Sequence, residues 1–155
     1  MTVRVAEKKD IKEILRLLLQ VNQVHADGRP DLFKNGGQKY TEADLEEKMR
    51  RSGELIFVAL ENDSLLGYSF IEIEENEETT SVYSHKTVYI DDLCVDEKSR
   101  GKHVGATLFQ RVKEYAKEID AYRVTLRVWE CNPSARAFYD AMGLKPMYTE
   151  MEMIL

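Results

Sequence analysis

A basic, glycine-bearing turn is the part of this sequence best suited to chemistry. Residues 96–106 read DEKSRGKHVGA, after an apolar strand pattern and before an amphipathic helix pattern. Such a turn exposes backbone N–H groups at a helix N-terminus, where they and the helix dipole attract a phosphate. Gly101 and Gly105 leave room for the backbone to approach a bulky anion. Positive charge comes from Lys98, Arg100, Lys102 and, when protonated, His103. The pattern predicts an anion site, and composition alone leaves open an ordinary basic loop that caps a helix.

Several familiar chemistries do not fit the same residues. A P-loop needs glycine five positions before its Gly-Lys pair and Ser or Thr after it, whereas this chain has Asp96 and His103 there. The dinucleotide fingerprint G-x-G-x-x-G is absent. Cys94 and Cys131 form no metal-ligand spacing with the histidines, so no metal is expected. Neither cysteine has an evident histidine–carboxylate partner that would make it a nucleophile.

Composition limits the class of protein and of partner. A chain of 155 residues with 43% hydrophobic and 32% charged residues is expected to fold as one soluble domain, residues 1–155. Its net charge of −6 opposes binding to nucleic acid or to an anionic membrane and favours a cationic substrate. Two scattered cysteines and a charged N-terminus without a long apolar run indicate a cytoplasmic protein.

The first half of the chain predicts elements that frame a sheet. Residues 2–6 form a strand pattern, and Asp10 with Glu13 three residues later resembles a capping box before a helix. Residues 21–40 read as a long loop or broken helix. Thr41 with Asp44 then opens a short helix, and residues 55–73 form an antiparallel hairpin around a turn at 62–64.

The second half alternates strands with helices and supplies the anion site. Strand patterns cover 86–95 and 122–129, and a helix with an apolar stripe begins at Val104. Asn132 caps a further helix that ends at Gly143, and residues 147–155 form a last strand pattern. This order predicts an α/β domain with a mixed sheet.

Side-chain alternation in the strand at 86–95 assigns its residues to two faces. Val88, Ile90 and Cys94 are expected to share one face of the sheet. Asp91 and Asp92 are expected to point to opposite faces.

Two segments resemble the GNAT superfamily of acetyl-CoA-dependent N-acetyltransferases. That family's acyl-CoA signature is Q/R-x-x-G-x-G/A, and residues 100–105 read RGKHVG, with His103 at the usual central glycine. Residues 132–144, NPSARAFYDAMGL, resemble the family's helix after its fifth strand. The resemblance implies a mixed, mostly antiparallel central sheet flanked by helices, with splayed fourth and fifth strands.

The resemblance also implies how acetyl-CoA binds as co-substrate. The pantetheine arm would pass between the splayed strands, against backbone groups of Leu93, Cys94 and Val95. The pyrophosphate would lie on the turn formed by Arg100, Gly101, Lys102, His103, Val104, Gly105 and Ala106. Asn132 and Arg136 would lie beside the cofactor, although each also fits a plainer role, as a helix cap and as a solvated helix residue.

Catalytic roles follow from the same resemblance. Tyr139 would act as general acid and protonate the departing CoA thiolate, while its helix pattern alone also fits a core aromatic residue. Asp91 would serve as base or as amine-binding carboxylate, with Asp92 beside it in the acceptor site. This acid pair is similar to the Glu-Asp of spermidine/spermine acetyltransferases. His25, Arg29 and Asp31 resemble the loop that borders the acceptor site in diamine acetyltransferase-like members, or form a structural turn.

These features predict an N-acetyltransferase whose acceptor is a small primary amine such as a polyamine or aminoglycoside. Protein N-termini and lysines remain open as acceptors. An acyl-CoA-binding regulatory module without turnover is the alternative from another class. The resemblance further implies a homodimer.

Overall fold

The computed structural model describes residues 1–155 and contains one five-stranded sheet in the order β1-β2-β3-β4-β5. The strands are β1 (Thr2–Val5), β2 (Glu54–Glu61), β3 (Ser64–Asn76), β4 (His85–Val95) and β5 (Arg123–Leu126). The first three pairings are antiparallel, and β4 pairs with β5 in parallel. This topology confirms the predicted α/β fold with a mixed, mostly antiparallel sheet.

Helices cover both faces of the sheet. They are α1 (Ile11–Gly28), α2 (Glu42–Lys48), α3 (Val104–Glu118) and α4 (Pro133–Ala141). One buried cluster joins α1 and α2 to the sheet through side chains such as Leu18, Leu45 and Phe70. A second cluster joins α3 to the opposite face through Leu108, Val112 and their neighbours. In each cluster, apolar side chains of the helices are buried against apolar side chains of the sheet, which explains why α1, α2 and α3 pack there. None of the helices is both long and apolar enough to cross a membrane.

The N-termini of α2 and α1 can be compared with the helix starts predicted at Thr41 and Asp10. Thr41 caps α2, where a helix start was predicted, and forms a reciprocal box with Asp44, whose backbone N–H donates to the threonine hydroxyl. Asp10 is the N-cap residue of α1, as predicted, but its side chain makes no capping hydrogen bond and the box with Glu13 does not form, because a 3₁₀ turn over Lys8–Asp10 precedes the helix. Asp10 instead closes that turn, accepting from the Glu7 N–H at 2.7 Å and from the Arg4 guanidinium at 2.6 Å.

The chain differs from the sequence prediction in three further places. Residues 21–28 continue α1 rather than forming a loop, because no helix breaker precedes Gly28 and Ala26 is buried. The strand predicted over 122–129 pairs only from Arg123 to Leu126. The strand predicted over 147–155 does not form, and its apolar side chains are exposed, since no neighbouring strand pairs with that segment.

Candidate active site

The splay between β4 and β5 creates a gap in the sheet. Their parallel pairing ends at Ile90 and Leu126, whereas β4 continues to Val95. Leu93, Cys94 and Val95 pair with β3 on one side and have no strand on the other. The backbone groups on that free edge can bond to an extended ligand. This is the opening that the resemblance assigns to the pantetheine arm.

A β-bulge at Asp91 sets the direction of the neighbouring side chains. Asp92 pairs with Phe70 and Ile90 pairs with Ile71, so Asp91 is the extra residue on β4. Alternation therefore shifts by one residue, and Ile90 packs toward α3 while Cys94 packs toward α1. The predicted shared face of Val88, Ile90 and Cys94 is wrong for this reason.

The same bulge brings the two aspartates to one side of the sheet, not to opposite faces as predicted. Asp91 Oδ2 accepts hydrogen bonds from Lys39 Nζ at 3.0 Å and from the Tyr40 hydroxyl at 3.1 Å. Asp92 Oδ2 lies 4.0 Å from the same Lys39 Nζ and accepts from the Tyr68 hydroxyl at 3.3 Å. The two carboxylates thus form one acid pair around a single ammonium group.

The members of the acid pair differ in solvation. The Asp91 side chain is 20% exposed and that of Asp92 only 9%. Burial raises the pKa of Asp92 to about 6, and the neighbouring charge of Asp91 adds to the shift, while Lys39 opposes it. A carboxyl group with a pKa near 6 can exchange a proton close to neutral pH.

Tyr139 lies on α4 next to this pair. Burial, and secondarily the Asp92 carboxylate, raise the pKa of its phenol above the ordinary value of 10.0. The phenol is therefore protonated at neutral pH, as a proton donor must be. Its hydroxyl donates to no acceptor within the protein and is not a buried unsatisfied group. The ring contacts Phe138 rather than sitting deep in the core, with centroids 5.1 Å apart.

The turn before α3, residues 96–103, has the features of an anion cradle. The backbone N–H groups of residues 101–106 donate to no acceptor within the protein. Gly101 has a φ of +78° and His103 a φ of 60°, and these left-handed residues turn the chain so that α3 begins at Val104. Lys98, Arg100 and Lys102 make no ion pair with a protein carboxylate. Free donors, a helix N-terminus and unpaired cations fit the diphosphate of acetyl-CoA.

Replacing Gly105 with valine is expected to abolish CoA binding. A Cβ at this position would stand 3.3 Å from the Phe138 ring and 3.6 Å from Val95 Cγ2, so the larger side chain must push Phe138 away from the first turn of α3 and distort the cradle. Thermal unfolding with and without acetyl-CoA measures the effect, since a ligand of the folded state raises Tm. Gly105→Ala, which adds only the Cβ, is the graded control. A folded Gly105→Val protein that retains the full Tm shift would contradict the cradle assignment.

His103 occupies the left-handed position where the family has glycine. We expect His103→Gly to raise the free energy of unfolding by up to about 1 kcal/mol, because glycine adopts a positive φ without a Cβ clash. Chemical denaturation measures this change, and CoA affinity should be kept or improved. A loss of CoA affinity in His103→Gly would instead show that the imidazole ring contacts the phosphate.

The remaining residues predicted to bind cofactor have local partners. Asn132 caps α4 by accepting from the Ala135 N–H at 3.1 Å. Arg136 pairs with Asp140 on the surface of the same helix. The Cys94 thiol donates to the Leu17 carbonyl at 3.6 Å, and burial raises its pKa to about 12. Its thiol therefore stays protonated, and only its backbone faces the gap.

The predicted acceptor loop divides into two parts. Arg29 pairs with Asp31 at 2.8 Å and with Glu152 of the C-terminal segment, and its guanidinium lies over the Trp129 ring. None of these contacts reaches the acid pair. His25 packs on Phe33, and burial followed by the charge of Lys39 lowers its pKa. His25 lies on α1 rather than in a loop, and the charge of Lys39, the cation of the acid pair, acts on it.

Lys39, Tyr40 and Tyr68 belong to the site but were not singled out in the sequence. They contact carboxylates that lie 24 to 52 residues further along the chain. The Tyr40 ring lies between two lysines, with Lys39 Nζ at 5.3 Å and Lys48 Nζ at 5.6 Å from its centroid. Lys48 is buried and bonded to Glu54 and Glu72. No local pattern marks these residues, because their spacing matches no motif.

Comparison with known proteins supports the motifs. The Acetyltransferase (GNAT) family matches residues 19–144. The uncharacterized N-acetyltransferase YhfO of Bacillus subtilis (strain 168) is 28% identical over 144 residues, 92% of this chain and 89% of that protein. Probable glucosamine 6-phosphate N-acetyltransferase 2 of Oryza sativa subsp. japonica is 36% identical over 58 residues, 37% of this chain and 33% of that protein.

Similarity to a solved structure extends over the entire chain. A crystal structure of a mutant of the BH1408 protein from Bacillus halodurans matches with a TM-score of 0.96 and 29% identity. The match covers 100% of this chain and 99% of that one. The family match takes in the splayed strands, the cradle and α4. The chain therefore belongs to the acetyltransferase (GNAT) family and is an acetyl-CoA-dependent N-acetyltransferase.

Proposed function

We propose that residues 1–155 act as one domain that transfers the acetyl group of acetyl-CoA to a small primary amine. The observation that carries this proposal is the acid pair, which already surrounds an ammonium group beside the gap in the sheet. Direct attack in a ternary complex fits the site, because the thiol of Cys94, the cysteine beside the gap, is buried with a raised pKa and is not a nucleophile that could carry the acetyl group.

Acetyl-CoA supplies an acetyl group activated as a thioester. The free N–H groups of residues 101–106 and the cations of Arg100 and Lys102 would hold its diphosphate. The free edge of Leu93, Cys94 and Val95 would hold its pantetheine arm. Asn132 and Arg136, at the start of α4, would lie beside that arm.

Different residues would accept the proton that the amine loses and supply the proton that the CoA thiolate gains. Asp91, the more exposed carboxylate, would bind the ammonium of the acceptor. Asp92, whose pKa is about 6, would accept the proton that the amine must lose before it can attack. Tyr139 would return a proton to the CoA thiolate, since its raised pKa keeps the phenol protonated.

The acid pair and the similar proteins indicate that the acceptor is a small cationic amine. Two adjacent carboxylates in a chain of net charge −6 favour a cationic amine. The similarity of the pair to that of spermidine/spermine acetyltransferases supports a diamine or polyamine. The rice relative is named for glucosamine 6-phosphate, which is also a small amine. His25 and the loop from Arg29 to Asp31 would border the acceptor.

A panel of amines with detection of free thiol tests the proposal. The panel includes diamines, polyamines, aminoglycosides, amino sugars and short peptides with a free N-terminus or lysine. Thiol release that requires a small amine supports the proposal. Release with peptides alone would assign a protein acetyltransferase. Tight CoA binding without release for any amine would assign a regulatory module.

We propose in addition that the protein forms a homodimer through its C-terminal segment, residues 147–155. Met151 and Met153 of this segment are 86% and 84% exposed, and no residue of α4 is fully buried. The segment alternates apolar residues with Glu150 and Glu152 over 150–153, as in a strand with one buried face. Since β5 has an unpaired edge, a second copy can complete this end of the sheet.

Replacing Met151 and Met153 with aspartate is expected to convert the dimer to a monomer, because two buried charges would oppose the strand-like interface. Light scattering after size-exclusion chromatography measures the mass. Tyr83→Asp is the matched control, as Tyr83 is 86% exposed and lies outside the segment. A monomeric parent protein, or a double variant that remains dimeric, would contradict the proposal.

A cytoplasmic location is proposed with the same function. Cys131 is exposed and Cys94 buried, and both are free thiols, which suits a reducing compartment.

A further inference from the structure

Lys39 places a primary amine of the protein itself in the candidate acceptor site. Its Nζ donates to Asp91 at 3.0 Å and stands 4.0 Å from Asp92. It also lies over the Tyr40 ring, 5.3 Å from the centroid. These are the groups that the proposed function assigns to the acceptor ammonium. Lys39 therefore occupies the position of the substrate's amine in the protein without substrate.

The neighbouring lysine shows that this placement is specific. Lys48 contacts the same tyrosine ring but donates to Glu54 and Glu72 instead of the acid pair. It is buried, whereas the Lys39 side chain is 40% exposed and extends from the segment between α1 and α2. Lys39 thus combines contact with both aspartates and the freedom to move.

We propose that Lys39 is an acetyl acceptor of this enzyme, modified within the same molecule when no other amine occupies the site. This inference rests on the proposed function. It adds a modification site to the proposed function. It also implies that Lys39 competes with the acceptor, because an acceptor amine must displace Lys39 from Asp91 before it can bind.

The chemistry balances as in transfer to a free amine. The Lys39 ammonium gives one proton to the Asp92 carboxylate, and its nitrogen then forms a bond to the acetyl carbonyl carbon. The bond from that carbon to sulfur breaks, and the thiolate takes the Tyr139 proton. The nitrogen loses its second proton as the amide forms, and that proton restores the Tyr139 phenol. The net change is one lysine amide, one free CoA thiol and one proton, which Asp92 releases to solvent.

Acetylation would remove the cation from the acid pair. A neutral amide cannot form the charge-assisted contact that Lys39 makes with Asp91. The unpaired carboxylates would then attract a cationic acceptor without competition. A modified molecule should therefore bind acceptors more tightly than an unmodified one.

Peptide mass spectrometry after incubation with isotopically labelled acetyl-CoA tests the modification. The label separates new acetyl groups from those acquired during expression. Lys8 and Lys9, which are 76% and 68% exposed and lie in the 3₁₀ turn before α1, give the rate of uncatalysed acetylation. We expect Lys39 to be labelled at least about tenfold faster, because its amine is already positioned beside the proposed base.

Three further measurements of that labelling rate test the inference. Diluting the protein should leave it unchanged, since transfer occurs within one molecule. Tyr139→Phe should lower it toward that of Lys8, and added 1,4-diaminobutane should protect Lys39 by competing for Asp91. Labelling no faster than Lys8, a rate that falls with dilution, or no dependence on Tyr139 would each overturn the inference.

A binding measurement gives a readout that does not depend on turnover. Lys39→Gln removes the competing cation and should bind 1,4-diaminobutane several-fold more tightly by calorimetry without acetyl-CoA. Lys34→Gln, in the same segment but bonded only through its backbone, is the matched control and should leave the affinity unchanged. Equal or weaker binding by Lys39→Gln would overturn the competition.

The amine panel separates this inference from the proposed function. Thiol release with small amines but no labelling of Lys39 would overturn the self-acetylation alone. No thiol release with any amine and no labelling of Lys39 would overturn both.

Discussion

Replacing Tyr139 with phenylalanine is expected to lower turnover by roughly 10²–10⁴ while leaving acetyl-CoA affinity nearly unchanged. The variant keeps the ring and its contact with Phe138 but removes the proton proposed to reach the CoA thiolate. Because the hydroxyl has no hydrogen-bond partner in the protein, its loss should not disturb the surrounding structure. Steady-state kinetics with free-thiol detection and a calorimetric titration of CoA measure the two quantities.

Tyr122→Phe is the matched control for this experiment. Tyr122 is 77% exposed and lies just before β5, outside the site, so its variant should retain parental turnover. Thermal unfolding of both variants separates a catalytic loss from a loss of fold. Near-parental turnover in Tyr139→Phe would refute the general-acid role and leave solvent as the proton source.

Asp92→Asn is expected to lower turnover by a similar roughly 10²–10⁴ and to remove the acidic limb of the pH–rate profile. A base with a pKa of about 6 is active only when ionised, so the parental rate should fall as the pH drops through that value. Asp91→Asn should behave differently. It should raise KM for cationic acceptors and keep the limb, because Asp91 is proposed to bind the amine.

The same Asp92 variant should be more stable than the parent at neutral pH. The folded protein holds the Asp92 proton more tightly than the unfolded chain, whose carboxyl has the ordinary pKa of 3.8. Stability contributed by this group is therefore present at low pH and lost as the pH rises through about 6. Asparagine cannot ionise, so the variant does not lose this stability at neutral pH. Its free energy of unfolding there should exceed that of the parent by up to about 3 kcal/mol.

Denaturant titrations at two pH values check this prediction. The gain should be present near neutral pH and vanish near pH 3, where the carboxyl is protonated in the folded protein and mostly so in the unfolded chain. A variant that is less stable than the parent at both values would show that Asp92 is held as a structural partner of Tyr68 and Lys39.

The local features of this protein were determined by the sequence itself. The helix start at Thr41, the Asn132 cap and the stop at Gly143 were all predicted and all form. Each depends on residues within a few positions of one another, so hydrogen bonds along the chain suffice to specify it. The strand–turn–helix around residues 96–106 is local in the same sense, and the motif there was sufficient to indicate the family.

Tertiary structure alone decided how the acid pair is assembled. Strict alternation placed Asp91 and Asp92 on opposite faces, but the bulge opposite Phe70 and Ile71 turns both toward Lys39. A bulge depends on the register between two strands, which neither strand encodes separately.

Long-range packing explains the other differences. Lys39 and Tyr40 reach Asp91 across about 50 residues of sequence, so no spacing within the chain could identify them. The segment 147–155 has a strand's alternation but no strand beside it, and it remains unpaired. Alternation specifies which side chains would share a face, whereas a strand also needs a neighbouring backbone, and only the assembled fold can supply one.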